Sequence, residues 1–303
     1  MGKLIIILEM KILRNTLSIA LVAASLFSSC EKDLLNIEHY KPVIYMKSGD
    51  NNIFAYPHAL NDSISTGYVT VGSGGSMPLT EDVMVTVGMN NDLLDTYNYR
   101  QFGDDINKHA RLLSSERFVI PSSKIIIKAG DVDAATFFPI EVDANGLSSD
   151  TTYIIPLEIK SVDKHEVNPE KNFVLYKIDL VNAYSSPTSN MYKMRGTKYP
   201  EGGIKSNITT NKKIVPISKN AVRLFPENLA SSTNLRTIEN TAILLIINSD
   251  NSVRVKSYKN IEIEQLEECK YDPVEKIFTI NYRYHLPGES KWTTIMEMLY
   301  RIE

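Results

Sequence analysis

The sequence has little cysteine and no excess of positive charge, and each shortage excludes a class of protein. Two cysteines occur in 303 residues, Cys30 and Cys269, which is too few for a disulfide framework, and their spacing does not fit a cysteine-based zinc site. The formal charge of −3 leaves no basic surplus for phosphate contacts, so nucleic acid is not an expected partner. Stability must therefore come from the packing of a core.

Motifs for catalysis and for cofactor binding are also missing. The sequence has no Gly-x-Ser-x-Gly elbow and no Gly-x-x-x-x-Gly-Lys loop for phosphate. No histidine has another histidine or a cysteine three to five residues away, a spacing that is common in zinc sites. The five histidines are His39, His58, His109, His165 and His285. These observations predict a protein without a metal or another cofactor.

Carboxylates that are close in the sequence are the remaining candidates for catalysis. Glycoside hydrolysis uses two carboxylates about 5 to 10 Å apart, but here the acidic pairs share only their closeness in sequence. The pairs are Asp104–Asp105, Asp131 with Asp133, and Glu267–Glu268. We interpret them as solvated residues and predict that the protein is not an enzyme. Cys269 is interpreted as inert rather than as a reactive thiol, because its acidic neighbours raise the pKa of the thiol.

Residues 1–29 have the pattern of a signal peptide. Lys11 and Arg14 form a short basic start after Met10, and the apolar run 17–27 fits a signal-peptide core of about 7 to 15 residues. That run is too short to span a bilayer, which takes about 20 apolar residues. Glu9 directly ahead of the basic start is unusual in a leader, so we interpret Met10 as the true start.

Cys30 follows this leader and is the predicted site of lipid attachment. The sequence Leu26-Phe27-Ser28-Ser29-Cys30 resembles the lipobox of bacterial lipoproteins, in which the cysteine is diacylated and becomes the first mature residue. Residues 30–41 then form a lipidated tether, and its acidic-rich trio 31–33 resembles the surface-export signal of Bacteroidetes lipoproteins. The resemblance implies an outer-membrane location that faces the cell exterior. The alternatives are an ordinary secreted protein, a core cysteine at position 30, and retention in the periplasm.

Residues 42–182 are predicted to form a β-sandwich with one short helix. Val, Ile, Thr and Tyr are plentiful, and Val83, Val85 and Val87 share one face at a period of two. Strand-like runs lie at 43–46, 68–71, 83–87, 125–128, 136–142, 153–159 and 173–181. Gly, Asp, Asn or Ser separate these runs, the glycine-rich residues 72–75 are interpreted as a loop, and the spacing favours a sandwich.

The helix is predicted directly after residues 90–92, which are all good N-cap residues. Leu93 and Tyr97 then follow at the i, i+4 spacing of one helical face. We expect this short helical insert to cross between the two sheets.

Residues 183–190 are predicted to be a linker, and residues 191–303 a β-barrel. Small polar residues and Pro187 interrupt the strand pattern in the linker, and about eight strand-like runs follow it. They lie at 192–198, 214–218, 221–225, 242–248, 252–258, 261–266, 277–284 and 292–302. A meander of this kind closes into an up-and-down barrel that leaves no edge exposed.

The last two of these runs are predicted to be amphipathic strands, each with a largely apolar face. The first run has Phe278, Ile280, Tyr282 and Tyr284 on one face. The last run has Trp292, Met296, Met298, Tyr300 and Ile302 on one face, and Glu297 and Arg301 on the other. The apolar faces are the ones expected to turn inward.

Two stretches of the sequence resemble known domains. The runs 118–121, 125–130, 138–140 and 147–157 resemble the adhesin-like N-terminal domain of Bacteroidetes surface lipoproteins, an immunoglobulin-like module. The remainder, from 192–196 to 297–301, is similar to the lipocalin-like domain of unknown function that often follows it. The resemblance implies an all-β chain with an immunoglobulin-like sandwich followed by a lipocalin-like barrel.

Proteins of this kind are commonly encoded beside glycan-import systems, so the resemblance implies a non-catalytic surface lipoprotein that takes part in glycan binding. The implied partners are a glycan, the membrane through the lipid anchor only, and an outer-membrane transport complex. Two other functions stay open. One is a carrier with a small apolar ligand inside the barrel, and the other is a structural or docking subunit of an outer-membrane complex.

Aromatic residues near one end of the barrel are the candidate glycan platform. Sugar binding needs flat aromatic faces with a polar rim. Trp292, the only tryptophan, follows the turn 287–290, and Tyr282 and Tyr284 share that end. Packing in the core is the competing interpretation for all three residues, and it is the favoured one.

Overall fold

The computed structural model describes residues 40–130 and 134–302, and these are almost entirely β-structured. Strands make up 51% of the described residues, which confirms the predicted all-β fold. Within the described ranges the α-helices are α1 (Asp92–Phe102) and α2 (Leu235–Thr241), and short 3-10 helices lie at Asp50–Asn52 and Ser115–Arg117. The leader, Cys30, most of the tether, Asp131 and Asp133 lie outside the described residues. Residues 40–41 and 75–77 form a small unit of their own, in which Tyr40 and Ser76 exchange hydrogen bonds.

The first body is a sandwich of two sheets. Its strands are β1 (Val43–Met46), β2 (Ile53–Ala59), β3 (Ser65–Gly74), β4 (Val83–Met89), β5 (Arg111–Leu112), β6 (Phe118–Val119), β7 (Lys124–Ile127), β8 (Ala135–Val142), β9 (Tyr153–Val162), β10 (Glu166–Val167) and β11 (Phe173–Val181). The five-stranded sheet has the order β10-β1-β3-β8-β6. The six-stranded sheet has the order β2-β11-β9-β4-β7, with β5 beside β9.

The core of the sandwich comes from side chains that alternate along these strands. Val69 and Phe138 of the five-stranded sheet and Val85 and Ile155 of the six-stranded sheet belong to one buried cluster. Val83, Val85 and Val87 are all buried, so the face that they were predicted to share is the inward face of this strand. Burial of each such side chain stabilises the fold by about 1.5 to 3 kcal/mol.

One polar group, His58, lies inside this apolar core. Its Nδ1 lies 2.7 Å from Ser65 Oγ and its Nε2 lies 2.7 Å from Tyr176 Oη. Burial lowers the pKa of His58 to about 4, and Asp179 offsets only part of that effect. The ring is therefore neutral at physiological pH. Gly67 is required beside it, because a Cβ there would lie 1.8 Å from Tyr176 Oη.

Helix α1 confirms the predicted helical insert, but it does not cross between the sheets. Leu94 packs in a cluster with Ile154 of β9 and Leu175 of β11, both in the six-stranded sheet. The strands before and after the helix, β4 and β5, also belong to that sheet. The prediction of a crossing was wrong. Strands β9 and β11 have apolar side chains on both faces, and α1 packs on the face that does not contact the core of the sandwich.

The predicted loop at 72–75 was also wrong in part. Strand β3 continues to Gly74, and its residues 71–74 pair with β1, so Gly72 and Gly74 are strand residues. The ring of Tyr45 lies over them, since a Cβ on Gly72 would be 3.3 Å from the Tyr45 ring. These glycines allow a close approach of a side chain to the sheet rather than a turn.

The second body is one curled sheet, built as a meander. Its strands are β12 (Met191–Pro200), β13 (Ser206–Lys213), β14 (Val215–Ser218), β15 (Ala221–Leu224), β16 (Ile243–Ile247), β17 (Ser252–Ser257), β18 (Glu262–Gln265), β19 (Cys269–Asp272), β20 (Ile277–His285) and β21 (Thr293–Arg301). The order is β13-β12-β21-β20-β19-β17-β16-β15-β14, with β18 beside β20. The prediction of about eight strands missed β13 and β19.

The inside of the curled sheet is filled by its own side chains. Tyr192, Phe278 and Tyr282 are fully buried there, within a cluster that also includes Leu299. The first strand β12 pairs with the last strand β21, so the meander curls back on itself. The residues 182–189 ahead of it form two tight turns, with bridges between Asn182 and Ser185 and between Ser186 and Ser189.

A buried ion pair joins a sandwich loop to the curled sheet. Arg223 of β15 donates two hydrogen bonds to Asp150, at 2.5 and 2.6 Å, and its side chain is 5% exposed. Tyr258 Oη donates to the same carboxylate at 3.2 Å, and Arg223 lies over the Tyr258 ring. The two parallel N–H groups of the planar guanidinium give this ion pair a defined geometry.

None of the helices in the described part of the chain is both long enough and apolar enough to cross a membrane.

Candidate functional site

The ends of β12 and β21 hold the backbone of Trp292 in place. Trp292 directly precedes β21, and Glu201 directly follows β12. Glu201 N donates to Trp292 O at 2.8 Å, and Trp292 N donates to Glu201 Oε2 at 3.1 Å. Two hydrogen bonds therefore tie the tryptophan to the turn between β12 and β13.

The half-buried indole of Trp292 contacts two side chains of β20. The guanidinium carbon of Arg283 lies 4.6 Å from the centroid of the indole, and the His285 ring meets it edge-on with 4.6 Å between centroids. Arg283 and His285 share one side of β20 because they are two residues apart. A cation over an indole contributes about 0.5 to 1 kcal/mol at an exposed site. The contacts fix the orientation of the ring.

Two glutamates of β18 complete the surroundings of the ring. Arg283 Nε and Nη2 donate to Glu264 Oε2 at 2.8 and 2.5 Å, and His285 Nε2 lies 3.1 Å from Glu262 Oε2. The side chains of Glu264 and Glu262 are 51% and 70% exposed. We call the following six residues the tryptophan cluster: Glu201, Glu262, Glu264, Arg283, His285 and Trp292.

A further aromatic residue, Tyr199 of β12, lies on the same outer face. Thr294 of β21 pairs with Tyr199 on one side and with Arg283 on the other, so all three side chains point the same way. Two strand spacings put the Cα atoms of Tyr199 and Arg283 roughly 10 Å apart. The Tyr199 residue is 51% exposed. The sequence analysis missed it, although its alternation with the inward-facing Lys198 was the available signal.

Tyr282 and Tyr284, the other two predicted platform residues, lie on the opposite side of β20. They are 0% and 4% exposed, whereas Arg283 and His285 between and beside them face the tryptophan. The structure thus does not bring the three predicted aromatic residues together. Both tyrosines have the core environment that was favoured for them.

Tyr282 instead belongs to a buried ionic contact that the sequence analysis did not predict. Lys212 Nζ donates to Glu297 Oε2 at 2.6 Å, and Tyr282 Oη donates to Glu297 Oε1 at 2.9 Å. The side chains of Lys212 and Glu297 are 3% and 0% exposed. Burial lowers the pKa of Lys212, and the carboxylate of Glu297 opposes that shift.

Glu297 also corrects the predicted faces of the last strand. Ile295, Glu297 and Leu299 point inward, while Met296 and Met298 are 47% and 38% exposed. The face with the methionines was expected to be inward because it is apolar. The opposite face turns inward because Lys212 neutralises Glu297 there, so the charge does not have to face water.

Tyr284 takes part in a second polar contact near the same interior. Tyr284 Oη donates to Glu227 Oε1 at 2.9 Å, and Lys198 Nζ lies 3.0 Å from Glu227 Oε2 at a geometry poor for a hydrogen bond. Glu227 N also donates to Tyr282 Oη at 3.4 Å. Burial, with the nearby carboxylate of Glu227, raises the pKa of Tyr284.

The other sequence candidates for chemistry lie apart from these contacts. Cys269 is buried, and burial raises the pKa of its thiol, as does Glu267 more weakly. Asp105 is paired with Lys108 at 2.9 Å on the surface. Among residues 40–130 and 134–302, no group of three or more His, Cys, Asp and Glu side chains is arranged to hold a metal ion.

Two family models match the chain. A model of an N-terminal domain matches residues 40–166, and a model of a C-terminal domain matches residues 172–300. The chain belongs to a two-domain, all-β family of the Bacteroides type. The boundary between the two models precedes β11, whereas the predicted linker follows it. No curated protein matches the chain.

Solved structures of Bacteroides proteins have the same fold over most of their length. One protein of unknown function from Bacteroides ovatus is 15% identical with a TM-score of 0.63, and 86% of this chain covers 94% of that one. A multidomain B. ovatus protein that includes a DUF1735 domain is 14% identical with a TM-score of 0.61, at 85% and 94% coverage. An auxiliary nutrient binding protein from Bacteroides thetaiotaomicron is 15% identical with a TM-score of 0.57, at 84% and 92% coverage. At these identities the likeness concerns the fold.

Proposed function

We propose that this chain is a non-catalytic glycan-binding lipoprotein, held on the outer membrane by Cys30 and facing the cell exterior. In this proposal the sandwich is the adhesin-like domain and the curled sheet is the lipocalin-like domain. The protein acts beside an outer-membrane glycan-uptake system, and the glycan binds at the tryptophan cluster.

The observation that supports this function is an oriented indole with a rim of ionic and hydrogen-bonding groups. Sugars present apolar C–H faces and hydroxyl groups at once, so their sites combine a flat aromatic ring with polar side chains. Trp292 supplies the ring, and Glu201, Glu264 and Arg283 supply donors and acceptors. The contacts with Arg283 and His285 orient the indole before a ligand arrives, which reduces the entropic cost of binding.

Two further observations favour surface binding of a nutrient. The fold neighbour from B. thetaiotaomicron is described as an auxiliary nutrient binding protein. The inside of the curled sheet is filled by Tyr192, Phe278 and Tyr282, which is unfavourable for the rival function of a carrier with an enclosed apolar ligand. Both observations support a sugar-binding surface on the outside of the sheet.

The single tryptophan makes a direct test possible. Because Trp292 is the only tryptophan, its fluorescence reports on this one position. We expect a neutral polysaccharide from a panel of starch, mannan and xylan to change the emission and to retard the protein in affinity electrophoresis. Trp292→Ala should strongly reduce the retardation, whereas Trp292→Phe, which keeps a flat ring, should preserve more of it.

A stability measurement is the control for this experiment. If Trp292→Ala lowers the melting temperature and leaves the retardation intact, the ring is a packing residue and the site is wrong. If no polysaccharide retards the wild-type protein, glycan binding itself is rejected in favour of a docking subunit.

The anchor is tested separately in cells. Cys30→Ser should prevent lipid attachment, change the mobility of the mature protein and move it from the membrane fraction to the soluble fraction. Unchanged maturation and unchanged membrane partitioning would contradict the proposed location.

A further inference from the structure

A second set of aromatic side chains lies on the outer face of the five-stranded sheet. Phe137 is 66% exposed and Tyr68 is 41% exposed, and their ring centroids are 5.9 Å apart at an interplanar angle of 67°. They belong to the neighbouring strands β8 and β3, where the intervening Val69 and Phe138 point into the core. The outward direction of both rings is therefore fixed by the strand alternation.

Tyr45 extends this aromatic surface across the bare backbone of β3. Its Cα is paired with Gly72, which is paired in turn with Ala135 of β8, two residues before Phe137. Because Gly72 and Gly74 have no Cβ, the Tyr45 ring lies close against the sheet. Two strand spacings and two residues along the strand put the Cα atoms of Tyr45 and Phe137 about 12 Å apart. We call Tyr45, Tyr68 and Phe137 the aromatic strip.

The side chains around the aromatic strip are small or carry hydroxyl groups. Thr66 and Thr70 flank Tyr68 on β3, and Pro139 is paired with Tyr68 on β8. Lys47, which follows β1, contributes one positive charge, and Glu141 of β8 and Glu166 of β10 contribute two negative charges, so the surface has no excess of positive charge. Aromatic faces together with hydroxyl groups fit a polyhydroxylated ligand, and the lack of a basic surplus fits a neutral one rather than an anionic one.

We infer that the aromatic strip is a second glycan-binding surface, which takes a neutral polysaccharide chain independently of the tryptophan cluster. The inference rests on the proposed function, since it assumes that glycan is the ligand. Two sites on one chain bind one polymer more tightly than either site alone, because the second contact is intramolecular. Affinity for a long polysaccharide should then depend on both.

The experiment compares three variants of the mature chain with the same polysaccharide panel, using affinity electrophoresis for all three and the emission of Trp292 for the two that keep this residue. Tyr68→Ala with Phe137→Ala removes most of the strip, and Trp292→Ala removes the other site. Tyr99→Ala is the matched control, because Tyr99 is a 69% exposed tyrosine on α1. Polygalacturonate is the charged comparison polymer.

We expect the strip variant to lose about 100-fold or more in affinity for the neutral polymer that the wild type binds. Its Trp292 emission should still respond at higher polymer concentrations, and its melting temperature should stay close to that of the wild type because the removed rings are exposed. Tyr99→Ala should bind the neutral polymer like the wild type. Any binding of polygalacturonate should be the same in the wild type and in the strip variant.

The other outcomes separate the two sites. If the strip variant binds like the wild type while Trp292→Ala loses binding, the strip is not a site and the proposed function stands. If Trp292→Ala binds like the wild type and the strip variant loses binding, the strip stands and the tryptophan cluster fails. If the strip variant changes only the oligomeric state, the surface is an interface between copies and the inference is wrong.

Discussion

The sandwich buries His58 as a neutral ring, whereas the curled sheet buries Lys212 and Glu297 as an ion pair. In the first body a histidine, a serine and a tyrosine satisfy one another by hydrogen bonds alone. In the second body a full charge of each sign is removed from water, together with the hydroxyl of Tyr282. The two cores therefore depend on solution conditions in different ways.

This difference separates two kinds of buried polar contact. Burial of a neutral histidine that is hydrogen-bonded through both ring nitrogens reduces the stability of the fold little, as long as the ring stays neutral. When the ring is protonated, either its contacts are lost or a charge is buried, and both destabilise the folded protein. A buried ion pair is not disrupted by such a protonation near neutral pH. Removal of either partner, however, leaves the other as an uncompensated buried charge. The predictions below probe that contrast.

The largest expected effect comes from breaking the ion pair on one side only. Glu297→Gln should leave Lys212 buried without a counter-charge and destabilise the protein by about 3 to 5 kcal/mol. Urea unfolding at pH 7.5 measures the loss. The triple variant Lys212→Met, Tyr282→Phe and Glu297→Leu removes all three polar partners and should recover most of it, because apolar replacement of a buried ion pair is often neutral.

A loss below about 1 kcal/mol in Glu297→Gln would contradict this, since a solvated lysine loses little when its partner is removed.

An effect of intermediate size is expected from acid acting on His58. Its pKa is about 4 in the folded protein against 6.5 in the unfolded chain. A lowered folded-state pKa contributes stability that is complete above pH 6.5 and is lost as the pH falls from there towards 4. The total is about 3 kcal/mol.

His58→Gln is the comparison for this prediction, because its side chain does not titrate. The difference in unfolding free energy between the wild type and His58→Gln should shrink as the pH falls from 7 to 4. Parallel pH profiles for the two proteins would show that His58 does not titrate with a lowered pKa.

The smallest expected effect compares two buried hydroxyl groups. Tyr176→Phe removes a hydrogen bond to a neutral histidine and should cost about 1 kcal/mol, whereas Tyr282→Phe removes one to a carboxylate and should cost about 1.5 to 3 kcal/mol. Urea unfolding of both variants at pH 7.5 gives the order. The reverse order would contradict the expectation that the hydrogen bond to the carboxylate is the stronger of the two.

The alternation of apolar residues predicted most strands but not those whose inward residues are polar. The apolar runs of β4, β8, β9 and β16 were found, because their inward positions are Val, Ile, Leu or Phe. Strand β13 was missed because its inward residues include Lys212, whose counter-charge lies 85 residues away in the sequence. Helix α2 was missed even though the side chain of Asn234 caps it.

The tryptophan cluster could be predicted only in its central residue. Trp292 was identified as the single tryptophan after a turn, but Arg283, Glu262 and Glu264 depend on the pairing of β18 with β20. That pairing skips β19, which precedes β20 directly in the chain, so no local pattern indicates it. The aromatic strip was missed because residues 72–75 were interpreted as a loop. The pairing of β1 with this part of β3, which places Tyr45 on the same face as Tyr68 and Phe137, was therefore not predicted.

Glu227 has a backbone φ of 42°, in the left-handed region that costs a non-glycine residue about 1 to 2 kcal/mol. Its carboxylate accepts from Tyr284 and its N–H donates to Tyr282, so two side chains inside the sheet hold that conformation. Hydrogen bonds from the interior of the curled sheet thus fix the path of the chain after β15. Substitutions at these tyrosines should alter the shape of this connection as well as the stability of the core.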